Sequence, residues 1–243
     1  MKIDLYDKKR LGIYVHVPVC ISKCAYCDFC SFVPRDERIM TDYVDAVIAH
    51  MEEYKESCRE YVADSVYVGG GTPTVLPKKE LKRLLPAINR CFDVSKKAEF
   101  TVEVNPGMAD LSLFRMMRRC GVNRISMGLQ SADNRELSAL SRCHSRADFA
   151  DGLYLARQAG FDNVNADLMF GIPGQTHESL MRSLNFVMRT GVEHISLYNL
   201  KIEPGTPFFE MRDRIAPGLP SEEEEFAMYR DAVEVMAKRG YMQ

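Results

Sequence analysis

The chain has 243 residues, with 32 Lys and Arg against 34 Asp and Glu, a formal net charge of -2 at neutral pH. That balance offers no basic field for nucleic acid, and no apolar run nears the roughly 20 residues of a membrane helix. The stretch Met1–Arg10 is charged and carries no signal-peptide core, so the eight cysteines read as thiols and ligands of a cytoplasmic protein, not as a disulfide framework.

The length allows one large domain or two small ones, and no repeat, low-complexity tract or linker divides it. A β-branched run predicts a first strand over Leu11–Val17. The cysteines Cys20, Cys24 and Cys27 follow it directly. Apolar residues at helical period, Met40, Tyr43, Val44, Val47, Ile48, Met51 and Tyr54, predict one helix face. Strands are then predicted over Ser65–Gly69, Phe100–Asn105, Arg124–Leu129, Val164–Phe170 and His194–Leu200. Helices are predicted between and after them, over Lys78–Cys91, Asp110–Cys120, Arg146–Ala159, His177–Thr190 and Glu222–Arg239. Gly121, Gly160, Gly191 and Gly240 each follow a helix and suit the left-handed position that ends one. Ser221 before four glutamates reads as an N-cap with acids in the first turn. Six β–α units in succession predict a parallel sheet with outer helices, two units short of a closed eightfold barrel. The expected fold is therefore α/β, a partial (β/α)6 barrel, with its reactive groups at the C-terminal ends of the strands.

The candidate chemistry falls at those ends. The spacing Cys20-x3-Cys24-x2-Cys27 suits an iron–sulfur cubane, which takes one thiolate per iron. Three thiolates hold three irons and leave the fourth open. A zinc site is the alternative, but it calls for a second, distant ligand pair. Cys58, Cys91, Cys120 and Cys143 are scattered singly and read as buried or helix-end thiols. Cys30 stands outside the three-ligand spacing as a spare fourth ligand. The run Gly69-Gly70-Gly71-Thr72 lets backbone approach a small ligand, or else makes a tight turn; it lacks the Lys of a phosphate-binding loop. Glu103 and Asp167 are carboxylates inside apolar strands and need partners: a structural Arg, a ligand ammonium or ligand hydroxyls. Gln130 ends the fourth predicted strand. Arg142 reads either as a surface residue or as the partner of a carboxylate. His16 fits a structural and a functional role equally.

Together these segments resemble the radical S-adenosylmethionine (SAM) superfamily. Within it they are similar to the group of oxygen-independent coproporphyrinogen III oxidases and radical-SAM heme chaperones. The resemblance rests on Tyr14-Val-His-Val-Pro18, the cysteine loop with Tyr26 before its third Cys, Gly69-Gly-Gly-Thr-Pro-Thr74 and Val102-Glu-Val-Asn-Pro106. It continues through Ser126-Met-Gly-Leu-Gln-Ser131, Asp167–Thr176, Ser196-Leu-Tyr-Asn-Leu200 and Glu203-Pro-Gly-Thr206. It implies a [4Fe-4S] cluster on Cys20, Cys24 and Cys27 with SAM on the open iron. It implies SAM contacts from Tyr14, Tyr26, Gly70, Gly71, Thr72, Glu103, Gln130, Arg142 and Asp167, some of which serve a second SAM in the oxidase. It also implies heme or porphyrin as a further ligand, with a heme-acceptor protein and an electron donor as partners. The oxidase carries a fourth Cys two residues after the third; here that position is Phe29, the pattern of the chaperones. The expected function is that of a heme chaperone core, with the oxidase as the alternative. Residues 1–243 are expected to form one radical-SAM core domain. Gly240-Tyr-Met-Gln243 resembles the start of a motif that continues into a C-terminal region in that group.

Overall fold

A computed structural model describes residues 8–243. The N-terminal expectation above rests partly on residues 1–7, which lie outside the described residues. Six strands pair in sequential order: β1 (Lys9–Val17), β2 (Tyr61–Gly70), β3 (Val94–Val104), β4 (Arg124–Gln130), β5 (Val164–Phe170) and β6 (His194–Asn199). Every pairing is parallel. The sheet curls into the expected half-barrel, with the longer helices on its convex side and the short ones among its loops.

Those helices are α1 (Glu37–Tyr54), α2 (Lys78–Cys91), α3 (Leu111–Arg119), α4 (Asn134–Ala139), α5 (Arg146–Gln158), α6 (His177–Arg189), α7 (Pro207–Glu210), α8 (Arg212–Ile215) and α9 (Glu222–Lys238). Their ends follow local chemistry. Asp36 and Asp110 cap α1 and α3 through their side chains, while Ser145, Thr176 and Ser221 form reciprocal capping boxes at α5, α6 and α9. Gly121 and Gly160 take φ of 98° and 89° after α3 and α5, a conformation that costs glycine little. The unpredicted helices α4, α7 and α8 have six, four and four residues, too short to show a helical period.

Strand alternation divides the chemistry between two faces. Outward residues such as Val66, Val68, Phe100, Val102, Ile125, Met127, Leu129, Val164, Ala166 and Leu168 form the core with the helices. The alternate residues are polar: Thr101 and Glu103 on β3, Arg124 and Ser126 on β4, Asn165 and Asp167 on β5, Ser196 on β6. Register sets them side by side, with Glu103 opposite Ser126, Ser126 opposite Asn165 and Asp167 opposite Ser196. The main core thus lies between sheet and helices, and the concave face is hydrophilic. Among the described residues no helix is long and apolar enough to cross a membrane.

Phe149 on α5 is fully buried in this layer, against Phe186 at 6.2 Å between ring centroids. Phe149→Ala should lower the unfolding free energy by about 3–5 kcal/mol in chemical denaturation. A loss below about 1 kcal/mol would place this residue outside the cooperative core.

Candidate functional site

The cysteine loop leaves β1 and is pinned at base and middle. Cys20 N–H donates to the Phe32 carbonyl at 2.9 Å, and Phe32 N–H donates to the Pro18 carbonyl at 2.8 Å. Ala25 N–H donates to the Leu140 carbonyl at 3.1 Å, and Phe208 N–H donates to the Ala25 carbonyl at 2.9 Å. Ala25 also packs in a small cluster with Leu140, Ile172, Leu200 and Phe208. The cysteine loop is thereby held at the barrel mouth, and this is where the short helix α7 contributes.

Cys20, Cys24 and Cys27 are half-buried, while Cys30 is exposed. Burial pushes the Cys27 thiol up from its ordinary value, so binding a metal there must displace a proton. Among the described residues no three His, Cys, Asp or Glu side chains converge on a point that one ion could fill. Thiols that each bind a different iron do not need to converge. Cys30 meets the site through its backbone: its carbonyl lies 2.8 Å from His16 Nε2. That contact makes Nε2 the donor, so Nδ1 accepts from the Tyr14 hydroxyl at 2.8 Å. His16 is therefore a satisfied residue bracing the loop exit. Cys91 is buried and Cys120 caps α3, as expected, but Cys143 is exposed in the loop after α4.

Arg142 is not the surface residue that one sequence expectation made it, and among the described residues no protein carboxylate pairs with it. Its Nη1 lies 3.4 Å from Cys24 Sγ, and its Nη2 donates to Asn105 Oδ1 at 2.7 Å and to the Gly128 carbonyl at 2.9 Å. Its Nε is buried without a hydrogen-bond partner. The backbone around it is unusual: Ser141 and Gln130 are non-glycine residues with φ of 57° and 71°. Such conformations cost on the order of 1 kcal/mol or more and cluster at functional sites. Tyr26 is half-buried beside Arg142, and desolvation raises its hydroxyl far above the ordinary value while the guanidinium opposes that.

The glycine run is the end of β2 and a cradle, not only a turn. Gly71 N–H donates to the Val17 carbonyl at 2.7 Å, and a Cβ on Gly71 would sit 2.5 Å from the Val19 carbonyl oxygen. Only glycine lets the two strands' exits approach so closely. Thr72 N–H then donates to the Val19 carbonyl at 2.7 Å. Asn105 lies one residue beyond β3, which ends at Val104.

Among the described residues no Arg pairs with Glu103. Its carboxylate accepts from the Tyr67 hydroxyl at 2.7 Å and from Gly70 N–H at 3.0 Å. Burial raises its pKa, and those two bonds pull the other way. Asp167 accepts from Asn165 Nδ2 at 2.7 Å, and Ser126 Oγ lies 3.5 Å away. Asn165 in turn donates to Ser126 at 2.8 Å and accepts from Ser196 at 3.0 Å. Burial pushes Asp167 up to about 6, Asn165 opposing and Glu103 adding to the rise. Below them Arg124 donates to Thr101 at 3.3 Å and to His194 Nδ1 at 2.7 Å. Tyr67, Asn165, Ser196 and Arg124 were not visible as site residues in the sequence. Their signal, polar residues at every second position of an apolar strand, becomes informative only once the register aligns the strands.

A model of the radical SAM superfamily matches residues 14–187. The heme chaperone HemW of Bacillus subtilis is 34% identical over 231 residues, 95% of this chain and 61% of that protein. HemW of Escherichia coli is 31% identical over 233 residues, 96% of this chain and 61% of that protein. The chain thus spans about three fifths of the length of these curated relatives. Among solved structures, coproporphyrinogen III oxidase (HemN) from Escherichia coli, a radical SAM enzyme, aligns over 98% of this chain and 54% of its own. That alignment has a TM-score of 0.88 at 28% identity. The half-barrel, the cysteine loop at its mouth and the match over residues 14–187 lead to one assignment: the chain belongs to the radical SAM superfamily.

Proposed function

We propose that this chain is the radical-SAM core of a heme chaperone, holding a [4Fe-4S] cluster on Cys20, Cys24 and Cys27 and SAM beside it. The observation that carries the reading is the pinned three-cysteine loop with a buried guanidinium against one of its thiols. The residues present fit such a group. Three half-buried thiols that share no single ion site suit a ligand with several metal centres. A buried, unpartnered Arg142 Nε and two half-buried carboxylates without a cation at hydrogen-bond distance suit a ligand that brings both charges. When bound, the cluster supplies one-electron chemistry to SAM.

In this reading each residue has one task. Gly70, Gly71 and Thr72 offer backbone to the ligand's amino-acid end. Glu103 and Asp167 accept from ammonium and hydroxyl groups. Arg142 and Gln130 meet carboxylate and hydroxyl oxygens, and Tyr14 and Tyr26 wall the mouth. The longer protein of which this would be the core would bind heme and pass it to an acceptor, as the name of its HemW relatives states of them. Phe29, 59% exposed next to the cysteine loop, favours this branch over the oxidase. The fold likeness to HemN keeps oxidative decarboxylation of coproporphyrinogen as the second reading. A protein carrying this chain should bind heme saturably and release no carbon dioxide from coproporphyrinogen III with SAM and a reductant. Sustained release of carbon dioxide would replace the chaperone reading with the oxidase.

Cys20→Ala, Cys24→Ala and Cys27→Ala should each lose the iron taken up in anaerobic reconstitution, because each removes one of three protein ligands. Cys30→Ala should keep it; loss of iron there would make Cys30 a ligand.

The raised Asp167 gives a prediction in pH. Its folded value lies above its unfolded one, so the charged form costs stability above about pH 6 and nothing below the unfolded value near 3.8. Asp167→Asn should therefore stabilise the unliganded protein at pH 7.5, by about 2–3 kcal/mol, and leave it unchanged near pH 3.5. The same variant should weaken SAM binding. Equal stabilisation at both pH values would contradict a buried, ionised Asp167.

A further inference from the structure

We propose that Asn105 is a positioning residue for the cluster, one amide that steers two hydrogen-bond donors onto two of the three thiols. The inference rests on reading Cys20, Cys24 and Cys27 as the cluster ligands. Asn105 Nδ2 donates to Thr72 Oγ1 at 2.9 Å, and the Thr72 hydroxyl points at Cys20 Sγ, 4.0 Å away. Asn105 Oδ1 accepts from Arg142 Nη2 at 2.7 Å, and the other nitrogen of that guanidinium reaches Cys24 Sγ at 3.4 Å. The side chain is the midpoint of a continuous polar path from Cys20 to Cys24.

Each half of the path follows from donor and acceptor logic. A hydroxyl has one hydrogen. With its oxygen accepting from Asn105, the Thr72 hydrogen is left to the sulfur. A guanidinium is a planar fork, so fixing one nitrogen on Asn105 aims the other. Asn is the side chain that can do both, since its amide presents a donor and an acceptor at one end. Asp would offer only acceptors, and Leu neither.

The backbone supports that single geometry. Asn105 precedes Pro106, which biases it to extended conformation and continues the alternation of Thr101 and Glu103 past the end of β3. Gly128 across the sheet leaves the space in which the pair meets: a Cβ there would lie 3.3 Å from Arg142 Nη2 and 3.4 Å from Asn105 Oδ1. Both donors reach sulfur, and hydrogen bonds to cluster sulfurs favour the more negative, reduced state. Asn105 therefore helps to set the reduction potential of the cluster without touching it.

The test is a redox titration followed by electron paramagnetic resonance on anaerobically reconstituted protein, without SAM. Asn105→Leu and the near-isosteric Thr72→Val should both bind iron to about the wild-type level. Both should move the midpoint potential to more negative values, Asn105→Leu further, because it frees both donors. Wild-type midpoints in the two variants would overturn the inference and leave the cluster assignment intact. Loss of iron from Asn105→Leu with an unshifted Thr72→Val would also overturn it, giving Asn105 a folding role only. Failure of the wild-type chain to take up a cluster would instead remove the reading beneath it, and the inference with it.

Discussion

The six parallel strands form a sheet left open between β1 and β6, and most of this molecule follows from that constraint. A closed eight-stranded barrel fills its interior with apolar side chains. An open one leaves the concave face in reach of water or a ligand, so the packed core must form on the other side. Here Val102, Met127, Ala166 and their neighbours carry that core against the helices. The same strands are free to present Glu103, Ser126, Asn165 and Asp167 inward. The alternation of a β-strand thus separates stability from chemistry one residue at a time.

The second consequence is electrostatic. Glu103, Asp167 and the guanidinium of Arg142 are taken into the site without pairing with each other. Hydrogen bonds compensate them in part: Tyr67 and Gly70 on Glu103, Asn165 on Asp167, and a carbonyl and an amide on Arg142. In the proposed function the charge that remains is met by a ligand carrying both signs. The cysteine loop adds thiols at the same mouth. Its position is fixed by backbone pins and by Ala25 packing with Phe208.

The architecture was legible in the sequence because local rules and packing agree. Glycines after helices, capping residues before them and the cysteine spacing each carry their own signal, and strand β5 and helix α2 occupy the predicted residues. The cysteine loop was legible for the same reason. The environment of each site residue was not. Arg142 could be read as exposed because nothing local says that its loop folds back to Cys24, 118 positions earlier. Asn165 looked like a polar interruption in an apolar strand; it is the bridge that joins β4, β5 and β6 under Asp167. Tyr67 reads as strand filler until register brings it to Glu103. Phe208 lies in a helix too short to have a period, yet it holds the loop that carries the cysteines. Contacts between strands distant in sequence decide all four, and spacing along one chain does not encode them.

The proposed function rests on three thiols that hold a cluster with one iron open to SAM. Electron paramagnetic resonance of the reconstituted, reduced protein tests it most directly, with spectra recorded before and after SAM is added. The account predicts a [4Fe-4S] signal whose g-values change on addition of SAM. A four-iron signal that SAM leaves untouched, or a protein that takes up zinc and forms no cluster, would contradict it.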